Sequence, residues 1–376
     1  MTIYLDTAAT TPLDRRVFEI MRFYLMEEYG NSGSRTHEYG MRAKSAVQKA
    51  RTQIADVVES DPLEVVFTSG ATESNNLAIL GLEEYLRESG RKHIITSAIE
   101  HKSVLAPVQI LNNRGFDVDF LPVCRRGVVN IDSINNSLRE DTGLVSIMHV
   151  NNETGVQQPI KTITEALRDH EAYFHVDAAQ GFGKVINTLK SNRIDLLSIS
   201  GHKIFGPKGI GALITRRRGY KLPPLKPLLF GGGQELGLRP GTLPVPLIAG
   251  LGLAAELASY EHAERQQDCS KIKDRVYEAF SDLNPKTNGD QSLALPHILN
   301  VSFPGLDAEA VMVALKGVAA ISNGSACTSS SYKPSHVLNA MGLDDNRISG
   351  AVRISWFHDI PNVDWDAIAN QFRLLR

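Results

Sequence analysis

The chain has 376 residues, of which 40 are basic, 42 are acidic and 42% are apolar, so its formal net charge is −2. A chain of this length is expected to form two or three domains with an ample core, which excludes a disulfide-stapled miniprotein. The balanced charge offers no general attraction to nucleic acid or to an anionic membrane, and the composition excludes collagen-like, disordered and coiled-coil chains.

Short β-branched segments alternate with longer helical patterns from Glu64 onward, which is typical of an α/β fold. Seven strands are predicted at 65–68, 93–99, 118–123, 145–150, 173–176, 196–200 and 210–215. Helical patterns lie between them at 71–89, 103–114 and 162–170. Their lengths suit crossovers above a mostly parallel sheet, so we expect a seven-stranded sheet that is buried on both faces.

The sequence changes character at residues 223–246, where prolines and glycines are frequent. We interpret this stretch as an active loop and a boundary between domains. A long helix predicted from Leu247 to about Leu283, followed by strands at 297–303 and 351–357, indicates a smaller α+β domain. The predicted division assigns residues 16–247 to the large domain, and residues 1–15 and 248–376 to the small one.

Several classes of protein are excluded by what the sequence lacks. The N-terminus has no secretion signal and no apolar stretch is long enough to span a bilayer, so we expect a cytoplasmic protein without membrane association. The three cysteines, Cys124, Cys269 and Cys327, fit neither a disulfide framework nor a zinc cluster. Histidine pairs at metal-binding spacing and Cys-x-x-Cys motifs are also missing, so no metal is predicted.

Three predicted strands lead into polar residues, at the edge where open α/β sheets bind ligands. Lys203 is flanked by Ser200 and His202, a pattern that is compatible with an imine-forming amine beside a phosphate-binding site. A surface lysine in a turn is the alternative interpretation. Asp177 can keep a pyridine nitrogen protonated, or cap the next helix. A glycine turn opens a helix whose backbone N–H groups and Thr72 hydroxyl can hold a phosphate, or form an ordinary helix start.

Six motifs then occur in order along nearly the whole chain: TSGATESN at 68–75, EHK at 100–102, VNNETG at 150–155, HVDAAQ at 175–180, SGHK at 200–203 and GSACTS at 324–329. In this order they resemble the cysteine desulfurases of the NifS/IscS type. The resemblance implies a class V aminotransferase with the type I fold of transferases that depend on pyridoxal 5'-phosphate (PLP). It also implies a homodimer.

The resemblance implies a role for each matching residue around the cofactor. Lys203 would bind PLP covalently, His101 would stack on its ring and shuttle protons, and Asp177 would contact the pyridinium nitrogen. Ala179 would pack on the other ring face, and Gln180 would bond the phenolate oxygen. The implied phosphate-binding residues are Ala71, Thr72, Ser200, His202 and, from the other subunit, Thr242.

The resemblance also implies how the substrate is handled. Asn152 and Arg353 match the residues that bind the substrate carboxylate, a role that suits the planar fork of a guanidinium. Cys327 matches the cysteine whose thiolate attacks the substrate sulfur, which leaves a persulfide and alanine. Its small polar neighbours predict a mobile loop that carries the persulfide to an acceptor. The predicted function is therefore conversion of L-cysteine to L-alanine with sulfur transfer to acceptor proteins.

The acceptor is left open between iron–sulfur cluster assembly, tRNA thiolation and DNA phosphorothioation, the last being the Dnd branch of the desulfurases. Because the sequence stops at Arg376 without a scaffold-docking tail, a dedicated sulfur donor is favoured, and partner proteins rather than this chain would contact DNA. A selenocysteine lyase or another class V PLP lyase would share the PLP residues. A non-catalytic docking protein for sulfur relay is a third alternative, disfavoured by the intact Lys203 and Cys327.

Overall fold

The computed structural model describes residues 2–324 and 334–376. Its strands are β1 (Ile3–Tyr4), β2 (Val65–Thr68), β3 (His93–Ser97), β4 (Asp117–Leu121), β5 (Thr142–Ser146), β6 (Tyr173–Asp177), β7 (Leu196–Ser200), β8 (Gly211–Thr215), β9 (Lys286–Thr287), β10 (Ile298–Ser302), β11 (Ala319–Ala320) and β12 (Ala351–Ser355). Its helices are α1 (Arg15–Met26), α2 (Glu38–Val58), α3 (Ala71–Leu80), α4 (Glu83–Glu88), α5 (Lys102–Asn113), α6 (Ile131–Ser137), α7 (Ile160–Ala166), α8 (Val245–Ala279), α9 (Ala308–Ala314), α10 (His336–Ala340), α11 (Asp345–Ser349) and α12 (Trp365–Arg373).

The central sheet has seven strands in the order β2-β8-β7-β6-β5-β3-β4. Strands β7, β6, β5, β3 and β4 are parallel, whereas β8 runs antiparallel to both β7 and β2. The predicted mostly parallel sheet is therefore confirmed, and the reversed direction of β8 is a detail that the sequence pattern did not indicate. All residues of β2, β3, β5, β7 and β8 are buried, as expected for strands covered by helices on both faces.

Alternate residues of the strands supply two separate cores. Val65 and Phe67 belong to the core formed with α1, α2 and α8, whereas Val66 belongs to the core formed with α3, α4 and α5. This follows from the period of two in a strand, which sends neighbouring side chains to opposite faces. Each face of the sheet is thereby closed by a helical layer, and the carboxyl ends of its parallel strands are left as the open edge.

One predicted helix is wrong in its extent. The segment 71–89 forms two helices, α3 and α4, which are separated at Gly81. The backbone of Lys226 approaches closely there, since its N–H donates to the Gly81 carbonyl and a Cβ on Gly81 would lie 3.0 Å from the Lys226 carbonyl oxygen. This contact with a distant segment, which the local helical pattern could not predict, accompanies the break.

The remaining strands form a three-stranded antiparallel sheet, β12-β10-β9, and a parallel pair, β1-β11. They share an apolar core with α9, α12 and the second half of α8, while the first half of α8 packs in the core beside the central sheet. The domain boundaries stated above stay a prediction. Across the described residues, none of the helices is long and apolar enough to cross a membrane.

Candidate functional site

A cavity of about 530 Å³ opens where β6 and β7 end and where α3 and α5 begin. Eleven of the thirteen predicted site residues line it: Ala71, Thr72, His101, Asn152, Asp177, Ala179, Gln180, Ser200, His202, Lys203 and Arg353. Thr242 is exposed in the loop before α8 and is not part of the lining, and Cys327 lies outside the described residues. The fold thus brings together residues that are far apart in the sequence.

Lys203 ends a short 3₁₀ turn that follows β7, so its amine is delivered to the cavity by the end of a central strand. Its Nζ donates to the carbonyl oxygens of Ala8 at 2.5 Å and Ala9 at 2.8 Å. The N-terminal segment is therefore part of the site, a contribution that sequence reasoning missed. The run of small residues from Ala8 to Thr11 was the available signal, because small side chains let a backbone approach closely.

Asp177 is the last residue of β6, and only 5% of its surface is exposed. Its Oδ2 accepts a hydrogen bond from Asn75 Nδ2 at 2.8 Å, and its Oδ1 accepts from the Ala179 N–H at 3.0 Å. The same Asn75 nitrogen donates to Ser103 Oγ at 2.8 Å. These donors satisfy the buried carboxylate, as such a group requires. Asn75 and Ser103 belong to the site although the sequence analysis gave them no role.

His101 is the N-cap residue of α5, which explains why its ring is held at the cavity wall. Its Nδ1 accepts a hydrogen bond from the Ser103 N–H at 3.1 Å, so the neutral ring carries its proton on Nε2. Burial lowers the pKa of His101 below its ordinary value, although the nearby Asp177 carboxylate acts in the opposite direction. The neutral ring at the cavity wall therefore has one defined hydrogen-bond donor, the N–H at Nε2.

The phosphate-binding residues implied by the sequence surround the start of α3 and the end of β7. Gly70, with a φ of +151°, turns the chain into α3, a conformation that favours glycine, and the first N–H groups of the helix face no helical acceptor. His202 contacts Thr10 Oγ1 through Nδ1 at 3.2 Å. Burial, and then the charge of Lys203, lower the pKa of His202 to about 4, so this ring is neutral.

Arg353 lies on β12 and is almost completely buried. Its Nη1 donates to the Asn152 carbonyl oxygen at 2.8 Å, and its Nη2 donates to Asp6 Oδ1 at 2.7 Å. Within the described part of the chain, the buried Nε has no hydrogen-bond partner. The guanidinium is thus fixed by two contacts. Asp6, which the sequence analysis did not identify, is the residue that neutralises it.

Comparison with known proteins places these observations in a family. The model of the class V aminotransferases matches residues 3–365. The chain is 45% identical to the mitochondrial cysteine desulfurase of Drosophila melanogaster over 369 residues, which covers 97% of this chain and 79% of that protein. Because that relative is named as mitochondrial, the predicted cytoplasmic location is not confirmed.

Two solved structures are similar over almost their full lengths. DndA from Streptomyces lividans has a TM-score of 0.83 and 51% identity, covering 94% of this chain and 99% of that one. SspA in complex with cysteine has a TM-score of 0.83 and 38% identity, covering 96% of this chain and 99% of that one. Together with the geometry of the cavity, these matches show that the chain belongs to the class V aminotransferases, a PLP-dependent family of enzymes, and within it to the cysteine desulfurases.

Proposed function

We propose that this chain converts L-cysteine to L-alanine, with PLP as its cofactor and Cys327 as the carrier of the sulfur. The observation that carries the proposal is the convergence of Lys203, Asp177 and His101 on one cavity of about 530 Å³. Support for cysteine as substrate comes from SspA, a relative whose structure holds that amino acid.

The cavity suits PLP because its donors match the parts of that molecule. Lys203 offers an amine to the aldehyde, and Asp177 offers a buried carboxylate to the pyridine nitrogen. The residues that would hold the phosphate are Ala71, Thr72, Ser200 and His202 at the start of α3 and the end of β7, with Thr242 from a partner subunit. Ala179 and His101 would flank the ring, and Gln180 would contact its phenolate oxygen. When bound, PLP supplies the electron sink that makes the α-proton of cysteine removable.

Lys203 acts as the general base in this proposal. With the substrate bound, the free amine of Lys203 would take the α-proton of cysteine. The carbonyl oxygens of Ala8 and Ala9 accept hydrogen bonds from Nζ and thereby fix where that amine lies. His101, whose Nδ1 accepts from the Ser103 N–H, keeps its single ring proton at Nε2 as a hydrogen-bond donor. It would pass a proton on only after it has first taken one up and become charged.

Arg353 and Asn152 would bind the substrate carboxylate beside the base. Arg353 lines the cavity, and Nη1 and Nη2 each carry a second N–H besides the one donated to Asn152 or Asp6, so a carboxylate can accept from the guanidinium while both contacts are kept. The Cys327 thiolate then attacks the substrate sulfur: an S–S bond forms, the C–S bond breaks, and the electron pair of that bond passes to the carbon skeleton that becomes alanine.

Borohydride reduction after addition of PLP tests the proposal, because it makes the lysine linkage permanent. Mass spectrometry should find the label on Lys203, and Lys203→Ala should take up none. Lys208 lines the same cavity and provides the matched control, since Lys208→Ala should still be labelled at Lys203. Label on another lysine, or a protein that does not take up PLP, would refute the proposal and favour the non-catalytic alternative.

The variant Cys327→Ser separates desulfuration from the other lyase reactions. It should bind PLP as the wild type does but form no alanine from cysteine. Retained alanine formation would reject the persulfide step and would favour a selenocysteine lyase or another class V lyase. The same preparation, run in analytical ultracentrifugation, tests the homodimer on which the contribution of Thr242 depends.

Among the acceptor pathways, the Dnd branch is favoured by one observation. The 51% identity to DndA exceeds the 45% identity to the Drosophila desulfurase. We therefore propose an acceptor protein of the Dnd type rather than a cluster scaffold. Incubation of the ³⁵S-persulfidated chain with purified candidates of both kinds tests this: label should move to the Dnd-type acceptor, and transfer to the scaffold alone would overturn the assignment.

A further inference from the structure

Lys184 lies behind the cavity, four residues after Gln180. Its Nζ donates to Gln180 Oε1 at 3.4 Å, and the Nε2 of the same amide donates to the Ala8 carbonyl oxygen at 2.8 Å. That carbonyl also accepts from Lys203 Nζ at 2.5 Å. A hydrogen-bonded chain therefore runs from Lys184 through Gln180 and Ala8 to the amine of Lys203.

These hydrogen bonds determine that Oε1 of the Gln180 amide faces Lys184 and that Nε2 faces Ala8. Gln180 is buried, with 3% of its surface exposed, so bulk water compensates poorly for a lost contact. If the amide were reversed, its NH₂ would meet the Lys184 amine and its oxygen would meet the Ala8 carbonyl. Donor would then face donor and acceptor would face acceptor, which is unfavourable at both ends. The amine of Lys184 therefore fixes the orientation from one side and Ala8 from the other.

Among the described residues, no acidic side chain accounts for the charge of Lys184. It lines a second cavity of about 40 Å³, which has room for a few water molecules but not for a substrate. The titratable groups there are Cys269, His262, His297, His358 and Arg265, and among the described residues no carboxylate lines this cavity or pairs with Lys184. An amine that lacks a counterion costs stability where an apolar side chain of similar length would not.

The protonation of Lys184 is compatible with this arrangement. Burial first, and then the charge of Lys203, lower the pKa of Lys184 to about 7. Both forms of the amine carry N–H groups that can donate to Gln180 Oε1, but only the charged form lacks a lone pair, so the charged form is the one that excludes the reversed amide at this end. The contact therefore persists on both sides of neutral pH.

We propose that Lys184 is a positioning residue, whose amine orients the Gln180 amide so that Nε2 rather than Oε1 faces the place of the PLP phenolate oxygen. The inference rests on the proposed function, since the phenolate belongs to PLP. A hydrogen-bond donor at the phenolate oxygen stabilises the phenolate anion. The phenolate then attracts the proton of the Lys203–PLP linkage less strongly. The pKa of the linkage is lowered as a result.

The variant Lys184→Met removes the donor and keeps an unbranched side chain as far as Cε. A pH titration of the absorbance of the PLP-loaded protein should then show the pKa of the linkage raised by about one unit, the size expected for one hydrogen bond to a charged group. Lys184→Arg should restore the wild-type titration. Lys190→Met is the matched control, because Lys190 forms a surface ion pair with Glu59 away from the cavity.

A second titration, in the Gln180→Ala background, separates positioning from a direct effect of the charge. If Lys184 acts through Gln180, Lys184→Met should cause no further change there; an additive shift would overturn the proposal. Lys184→Leu repeats the test with another apolar side chain should the methionine variant not fold. A wild-type protein without the linkage would refute the proposed function, whereas a normal linkage that titrates identically in Lys184→Met would refute only the positioning role.

Discussion

Replacing Arg353 by lysine separates the shape of the guanidinium from its charge. In the structure Arg353 uses Nη2 for Asp6, Nη1 for the Asn152 carbonyl, and keeps a buried Nε that has no partner among the described residues. Lysine has a single side-chain nitrogen, which lies one bond closer to the backbone than Nη1 and Nη2 of arginine. It can keep the ion pair with Asp6, but it cannot at the same time reach the carbonyl and present a second donor to a carboxylate.

The magnitudes follow from the contacts that are lost. Loss of the bond to the Asn152 carbonyl should lower the free energy of unfolding by about 1 kcal/mol. Loss of the charged hydrogen bond to the substrate carboxylate is worth about 1.5–3 kcal/mol, so the KM for cysteine should rise about 10- to 150-fold. The kcat should change less, because the carboxylate is bound in the ground state and in the transition state alike.

Arg347 offers a matched control, because it does not line the cavity. Its Nη2 donates to the Thr287 carbonyl and to Asn288 Oδ1, both at 2.6 Å, and its Nε is also buried without a partner among the described residues. Alanine formation against cysteine concentration gives KM, and urea denaturation gives stability. Both lysine variants should lose stability, and only Arg353→Lys should raise KM. An unchanged KM in that variant would refute carboxylate binding by Arg353.

Three further variants test the buried groups around the cavity. Burial raises the pKa of Glu100 to about 8, so the contribution of its protonated form to stability is present at low pH and is lost as the pH rises through 8. Urea denaturation at pH 6 and 9 should show that Glu100→Gln removes this alkaline loss of stability. An equal loss in the wild type and the variant would contradict the prediction. Gly181→Ala should destabilise by about 1–3 kcal/mol in thermal unfolding, since its Cβ would lie 1.9 Å from His149 Nδ1; a wild-type Tm would show that the ring can move. Asp177→Asn should weaken PLP binding and slow alanine formation by at least about tenfold, because a neutral amide cannot stabilise the protonated pyridine; unchanged absorbance and rate would refute that contact.

Strand ends located the centre of the cavity because they are local features, and the resemblance to the cysteine desulfurases implied most of its other lining residues. Asp177 and Lys203 each follow an apolar run, and parallel strands place their carboxyl ends at the same edge of a sheet. The residues that hold these groups were missed. Asn75 is 102 residues from Asp177, and Ala8 is 195 residues from Lys203, so no periodicity along the chain relates them.

The pattern of apolar residues thus determined the fold class, and the polar strand ends together with the resemblance indicated the chemistry of the cavity, since periodicity and motifs are both read from neighbours along the chain. Only the tertiary structure decided that Asp6 neutralises Arg353, that Lys226 approaches Gly81 and that Lys184 fixes the amide of Gln180. The first two contacts join segments separated by 347 and 145 residues, and their geometry exists only after the helices and sheets have packed. The spacing of four residues between Gln180 and Lys184 was visible in the sequence. The burial of Lys184 without a counterion was not, because distant residues of α8 and Trp356 enclose it.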